Sequence, residues 1–373
     1  MDRHTQIFAS PSKYVQGRHA LDDLGGLAWQ AGCRKALVLG GRRGLAATRA
    51  GRGKTFAAAG IEQEELVFGG TATYEAFVDV HGYAAENGFD TIIGSGGGQA
   101  LDIARLAADR AGLLSIMLPT TASTDAPVSS DSAMYSPEHE FLRVESSRKN
   151  PDIVLVDLSV IATAPARTLV AGMGDTLSTY FECGAVARSG KPNVRGGQLT
   201  DVAVSIGQRC LDLLLEYGVQ AKIAAEAHVV TPAFAKIVEA NTFFSGVGFE
   251  SGGLAAAHAM MVGFTGMEEL KDVLHGELVG YMSLMEMILE DHPAQLVDEV
   301  FRFCDKVGLP VTLEQIGMGC LDRQRIYDAV ERSCEPGGLV YNEAVPISPE
   351  AVFDAILAAD AMGKRLQEGV PIV

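Results

Sequence analysis

Three residues in the second half of the chain have side chains suited to holding a divalent cation. Asp175 lies in the run GMGD, His258 closes ESGGLAAAH, and His275 stands in LHGE. One carboxylate and two neutral imidazoles suit Zn2+ or another borderline cation. Three protein ligands with one open position make a catalytic arrangement rather than a structural one. The separations of 83 and 17 residues match no local metal motif. Each histidine taken alone also reads as a satisfied core residue. Ala255, Ala256, Ala257 and Ala259 leave room beside the His258 imidazole.

A second chemistry is written around residue 96. The apolar run Thr91–Gly94 leads into Gly94, Gly96, Gly97 and Gly98, and a helix follows with Asp102 in its first turns. Such a turn lets backbone N–H groups approach a pyrophosphate at the positive end of the helix dipole. The pattern is not GxGxxG, because the third glycine would fall at Gln99, and no GK[ST] follows to make a P-loop. A bare strand–helix turn is the plain alternative, but three consecutive glycines exceed what it needs. After the next apolar run comes a long polar loop, Leu118 to Tyr135, carrying Thr120, Thr121, Ser123, Thr124 and Asp125. In an open α/β sheet both loops would sit at the carboxyl ends of strands, where ligands bind. A solvated Ser/Thr loop is the alternative there.

The elements that must position these residues divide the chain. Lys35–Leu39, Glu65–Phe68, Thr91–Gly94, Ser115–Leu118 and Ile153–Val156 are short apolar runs bounded by turn residues, as expected of strands buried on both faces. Between them, Tyr74–Asn87 and Gln99–Arg110 suit crossover helices, which implies βαβ units and a parallel sheet. Beyond residue 162 long Ala/Leu/Glu/Met stretches take over, including Val202–Glu216, Thr231–Phe244 and Leu274–Leu289, while Lys191–Gln198 reads as a loop. The expected division is an α/β domain over 1–162 and an all-α domain over 163–373.

Composition narrows the partners. The 373 residues carry 47 acids against 30 bases, a net charge of −17, so nucleic acid and anionic membrane surfaces are excluded as expected partners. No membrane span or signal peptide is evident, and six scattered cysteines without a CxxC pair suit reduced thiols in a cytoplasmic protein. The 42 glycines follow no collagen period and suggest close backbone approaches around ligands.

Several blocks carry a family resemblance: KYVQG at Lys13–Gly17, GSGGGQALDIA at Gly94–Ala104, PTTASTDAP at Pro119–Pro127, and NPDIVLVD at Asn150–Asp157. AGMGDTLSTYFE at Ala171–Glu182, ESGGLAAAHA at Glu250–Ala259 and LHGE at Leu274–Glu277 continue the series. In this order the chain resembles the glycerol dehydrogenases of the iron-containing, group III alcohol dehydrogenase superfamily. The resemblance implies a Rossmann-like parallel-sheet domain followed by an all-α domain, the layout shared with dehydroquinate synthase. It implies a cofactor site for NAD at Gly94, Gly96, Gly97, Gly98 and Asp102, with Thr120, Thr121, Ser129, Asp131 and Tyr135 toward the nicotinamide. It also implies metal ligation by Asp175, His258 and His275, usually of Zn2+, and a polyol contact at Asp125. The expected reaction passes hydride from the secondary hydroxyl of glycerol, or a similar small neutral polyol, to NAD(P), giving dihydroxyacetone. The expected assembly is a homo-oligomer, commonly an octamer in this family.

The chain departs from the family pattern at four places. Gln99 stands where a lysine is common, Met261 where many relatives carry a further histidine, and Asp131 where a small apolar residue is usual. Gly41 replaces an aspartate that accepts from the adenosine ribose 2′-OH, and Arg42 and Arg43 follow it. A missing carboxylate beside two arginines tolerates or favours a 2′-phosphate, so NADP is an expected cofactor beside NAD; two solvent-facing arginines are the alternative. Rival readings are a related dehydrogenase for another diol or a hydroxy acid, a dehydroquinate-synthase-like lyase, and a non-catalytic dinucleotide-binding protein.

Overall fold

The computed structural model describes residues 5–373. Backbone contacts divide these into two compact units. One holds Ser10–Ala166 with Ala224–Gly246; the other holds the described residues up to Ala9 with Arg167–Ile223 and Val247–Val373. The division therefore departs from a single cut at 162/163. The segment Ala224–Gly246, which includes the whole helical run Thr231–Phe244, packs with the α/β unit.

In the α/β unit, strands β1 (Tyr14–Gly17), β2 (Lys35–Gly40), β3 (Glu62–Val67), β4 (Thr91–Gly96), β5 (Leu114–Pro119) and β8 (Ile153–Asp157) form one six-stranded sheet. Its order is β1-β8-β5-β4-β2-β3, with every neighbouring pair parallel. β2, β4, β5 and β8 are buried almost throughout, which is why they read as unbroken apolar runs. The chain moves outward from β2 to β3 and then returns to β4 on the other side of β2. That reversal is the topological switch point where open sheets bind ligands, and it puts Gly41 and the Gly94–Gly98 turn side by side. A Cβ on Gly40 or Gly44 would lie 2.1 or 2.5 Å from the Ser95 carbonyl, so only glycine allows this approach. Thr48 and Ser95 seal the contact through their hydroxyls, 2.8 Å apart.

The structure corrects the reading of the second loop. Its far end is a strand, β6 (Asp131–Tyr135), paired antiparallel with β7 (Phe141–Ser146). Ser132 and Met134 are buried while Asp131, Ala133 and Tyr135 are half-buried, so the period is two, but serine and aspartate hide it in a hydropathy reading. Thr231–Phe244 is likewise interrupted. Thr231 caps a helix over Pro232–Glu239 by accepting from the Phe234 amide, and a π-turn over Ala240–Phe244 follows.

The helical unit contains Ala166–Ser189 (its first residue counted with the α/β unit), most of Asp201–Glu226, and Ser245–Gly252 from residue 247 onward. Ala256–Phe264, His275–Leu289, Ala294–Val307, Arg323–Ser333 and Pro349–Gln367 complete its main helices. Among the described residues no helix is long and apolar enough to cross a membrane. Glycine again decides which helices touch. A Cβ on Gly174 would lie 2.0 Å from the Gly276 carbonyl, and one on Gly276 would lie 1.9 Å from the Ala171 carbonyl. Two helix backbones therefore meet directly at the residues beside Asp175 and His275.

Candidate active site

Asp175 sits in the middle of Ala166–Ser189 and is fully buried, His258 is the third residue of Ala256–Phe264, and His275 opens His275–Leu289. The helical unit brings all three together. The Nε2 atoms of His258 and His275 stand 3.6 and 3.2 Å from Asp175 Oδ1, and one ligand atom from each residue lies within 4.8 Å of the others. The His275 side chain is 30% exposed and is the solvent-facing member of the group. Burial alone would raise the Asp175 carboxyl, but the imidazoles, His275 foremost, hold it far below the usual carboxylate range. Burial likewise opposes a charged His258, and Glu182 and Asp175 overcome that and push it well up. A carboxylate oxygen and two imidazole nitrogens converging in this way match the donor set of a borderline divalent cation, which takes the place of protons on such ligands.

The motif glycines explain how His258 reaches this position. Gly253 has φ +104°, which turns the chain between Ser245–Gly252 and Ala256–Phe264. A Cβ on Gly252 would lie 2.6 Å from Cys183 Sγ, and one on Gly253 would lie 2.8 Å from Val186. The turn thus presses on the helix that carries Asp175, and the first amides of the His258 helix face buried carboxylates. Glu182 accepts from Ala255 and His258, Glu343 from Ala256, and Glu286 from Ala257. In LHGE, Glu277 reaches back to the Leu274 amide at 2.8 Å and takes a bidentate pair from Arg167, fixing the start of the His275 helix.

None of Glu182, Glu286 and Glu343 stands out in the sequence, because a glutamate in a helix or after a turn gives no local signal of burial. One of them has a measurable consequence. Burial first, then the charge of Glu290, raises the Glu343 carboxyl to about 9, whereas the unfolded chain has the ordinary 4.5. The folded protein therefore holds a proton that the unfolded chain releases, and stability falls as pH rises between those two values. Glu343→Gln keeps a neutral acceptor for Ala256 and is expected to make the fall of Tm from about pH 6 to 9 shallower. A Tm–pH slope as steep as wild type would contradict this.

The cofactor candidates gather in the α/β unit. Gly97 is the N-cap of Gly98–Ala111 and no side chain caps it; the Ala100 amide donates to the Gly97 carbonyl, and the positive end of the helix ahead of it suits an anion. Gly96 accepts from the Thr120 amide at 3.0 Å, tying the glycine turn to the polar loop. Thr121 and Ser123 pair through their hydroxyls at 3.2 Å. Three predicted residues have their side chains engaged within the fold. Asp102 is buried, pairs with Arg105 and accepts from the Ala133 amide, and desolvation raises its carboxyl to about 6 despite Arg105. Ser129 accepts from the Asp131 amide, and Asp131 accepts from the Ser146 hydroxyl at 2.7 Å. Arg105, which the sequence reading passed over, is 1% exposed and donates to Asp102, Ala126 and Asp131, clamping Gly98–Ala111 to loop and hairpin.

Tyr135 packs edge-on to Phe141. Gln99 accepts from the Ala72 amide at 2.9 Å, so this side chain ties down the loop before Tyr74–Glu86. Asp125 accepts from the Ser245 hydroxyl at 3.0 Å, and Asn241 of the π-turn donates to the Ala122 carbonyl at 3.0 Å. These contacts are why the segment ending at Gly246 belongs with this unit. Gly41 is the N-cap of Arg42–Ala59, with open space where a Cβ would stand, and Arg42 and Arg43 are exposed. Neither arginine makes a hydrogen bond or ion pair within the described residues. Met261 stands one turn beyond His258 and is bonded by Thr265.

Residues 11–158 match the family described as iron-containing alcohol dehydrogenase. A glycerol dehydrogenase of Escherichia coli O6:H1 is 39% identical over 369 residues, covering 99% of this chain and all of that protein. A glycolaldehyde reductase of Halobacterium salinarum is 37% identical, covering 98% of this chain and all of that protein. The crystal structure of glycerol dehydrogenase from Schizosaccharomyces pombe has a TM-score of 0.92 at 34% identity, covering 98% of this chain and 93% of that one. With near-complete coverage at this identity, and with the parallel sheet and helical region in family order, the chain belongs to the iron-containing alcohol dehydrogenase family, an NAD-dependent, metal-containing group of enzymes.

Proposed function

We propose that the chain oxidises the secondary hydroxyl of glycerol or a similar small neutral polyol, with NAD(P) as hydride acceptor and Zn2+ as the resident metal. The observation that carries this reading is the convergence of Asp175, His258 and His275 within one unit. A cation held there supplies Lewis acidity that lowers the pKa of a substrate hydroxyl. The side chains and backbone do the rest. Asp175 supplies the anionic ligand, and the two imidazoles leave net positive charge on the centre. The uncapped turn at Gly94, Gly96, Gly97 and Gly98 takes the pyrophosphate, with Thr120 and Thr121 toward the nicotinamide, and Ser245 holds Asp125 to orient the polyol. The alcohol loses its hydroxyl proton to water and its carbinol hydrogen as hydride; the hydride reduces NAD(P)+ to NAD(P)H and the carbonyl product leaves. From glycerol that product is dihydroxyacetone.

Gly41 without a carboxylate, and exposed Arg42 and Arg43 without partners among the described residues, support acceptance of a 2′-phosphate and therefore NADP use. The glycerol dehydrogenase relatives support glycerol as first substrate, and the halobacterial relative supports small hydroxyaldehydes in the reducing direction. The lyase reading lacks a basic cluster; Lys271, the base closest in sequence to the ligands, is exposed and pairs with Glu268. Six free cysteines, five of them buried, suit a reducing cytoplasm, and the family resemblance supports a homo-oligomer.

The test is reduced-cofactor formation with zinc-loaded protein over glycerol, 1,2-propanediol, a 2-hydroxy acid and a primary alcohol, with glycolaldehyde in reverse. The proposal expects the highest kcat/KM on a vicinal diol. A preference for the hydroxy acid or the simple alcohol would overturn it.

A further inference from the structure

Glu182 lies seven residues after Asp175 on Ala166–Ser189, so the two carboxylates project from nearly the same helix face, two turns apart. It is fully buried, and its hydrogen bonds all go to the His258 segment. One oxygen accepts from the Ala255 amide at 2.8 Å and the His258 amide at 2.9 Å, and the other meets His258 Nδ1 at 2.6 Å. A carboxylate oxygen only accepts, so the hydrogen of this short contact belongs to Nδ1. The other ring nitrogen, Nε2, is the one turned toward Asp175. Arg188, further along the same helix, is committed to Glu290 and does not compete with the imidazole for Glu182.

We propose that Glu182 is a positioning residue that sets the tautomer and ring orientation of His258, leaving Nε2 bare as a metal donor. This rests on the metal-site reading above. The arrangement is a carboxylate–histidine pair behind a ligand atom, which fixes the ring and raises its basicity toward the cation. The same carboxylate also caps the helix that carries the histidine. Ring and backbone are thus held by one group, and Gly252 and Gly253 matter because they let that helix end come close enough to Glu182.

Glu182→Gln is the discriminating substitution. Its amide oxygen still accepts from Ala255 and His258, while its NH2 now faces Nδ1. A donor there makes Nδ1 the acceptor and places the hydrogen on Nε2, the wrong tautomer for ligation. Zinc affinity measured by chelator competition is expected to fall by about 10–100-fold. The metal-free variant should keep the far-UV circular dichroism of the wild type. An affinity unchanged in the folded variant overturns the proposal.

Should the variant fail to fold, 15N-histidine NMR of the zinc-loaded wild type decides. His258 protonated at Nδ1 with Nε2 unprotonated supports the assignment, and the reverse tautomer defeats it. Wild-type protein that takes up no zinc would instead defeat the metal-site reading itself, so the two failures are distinguishable.

Discussion

Replacing His275 by alanine is expected to lower kcat/KM for polyol oxidation by about three orders of magnitude or more. A Lewis acid at the reacting hydroxyl supplies several kcal/mol of transition-state stabilisation, and each 1.36 kcal/mol is tenfold in rate. His275 is the most exposed ligand and opens its helix, so its loss leaves no large cavity and the fold should persist. Asp175→Asn is the complementary change. It keeps the volume of a fully buried side chain but removes the only anion among the three ligands, and with it the strongest attraction for a cation. Both variants should retain the wild-type circular dichroism spectrum, lose zinc and lose activity together. Activity that survives His275→Ala and a strong chelator would remove the metal from the reaction.

Gly41→Asp is expected to move cofactor preference from NADP toward NAD by about 100-fold in the ratio of kcat/KM values. Gly41 has φ −65° and ψ 157°, ordinary extended backbone, and nothing stands within 4 Å of its would-be Cβ, so an aspartate fits without strain. It would cap Arg42–Ala59, accept from a ribose 2′-OH and repel a 2′-phosphate. Charge-assisted hydrogen bonds are worth about 1.5–3 kcal/mol, so removing Arg42 or Arg43 should cost roughly ten- to a hundredfold with NADP and little with NAD. A wild-type enzyme with a hundredfold NAD preference, indifferent to these substitutions, would show that both arginines serve only the surface.

Much of this architecture was legible in the sequence for a physical reason. Strands β2, β4, β5 and β8 are covered on both faces, so burial writes itself as unbroken Val/Ile/Leu runs, and the glycine turn after β4 marks a close approach. β1 has only four residues, and β6 alternates with serine and aspartate, so neither offered an apolar pattern. The metal candidates were visible as residue types, but their convergence was not. It depends on the close contacts that glycine permits across long stretches of chain: backbone on backbone at Gly174 and Gly276, and against the Cys183 and Val186 side chains at Gly252 and Gly253. Glu182 and Arg105 escaped for the complementary reason. Each is charged and buried, and the contacts that hold it inside come from segments distant in sequence: the His258 segment for Glu182, the Ala126 and Asp131 carbonyls for Arg105.

The most direct test of the central claim is a zinc titration of chelator-stripped enzyme with glycerol and excess oxidised cofactor, following the absorbance of the reduced form. Activity should rise from near zero, saturate at about one Zn2+ per chain as a single catalytic ion requires, and fail to return in Asp175→Asn. Full turnover by the stripped protein, or restoration of the Asp175→Asn variant to the wild-type rate, would contradict the account.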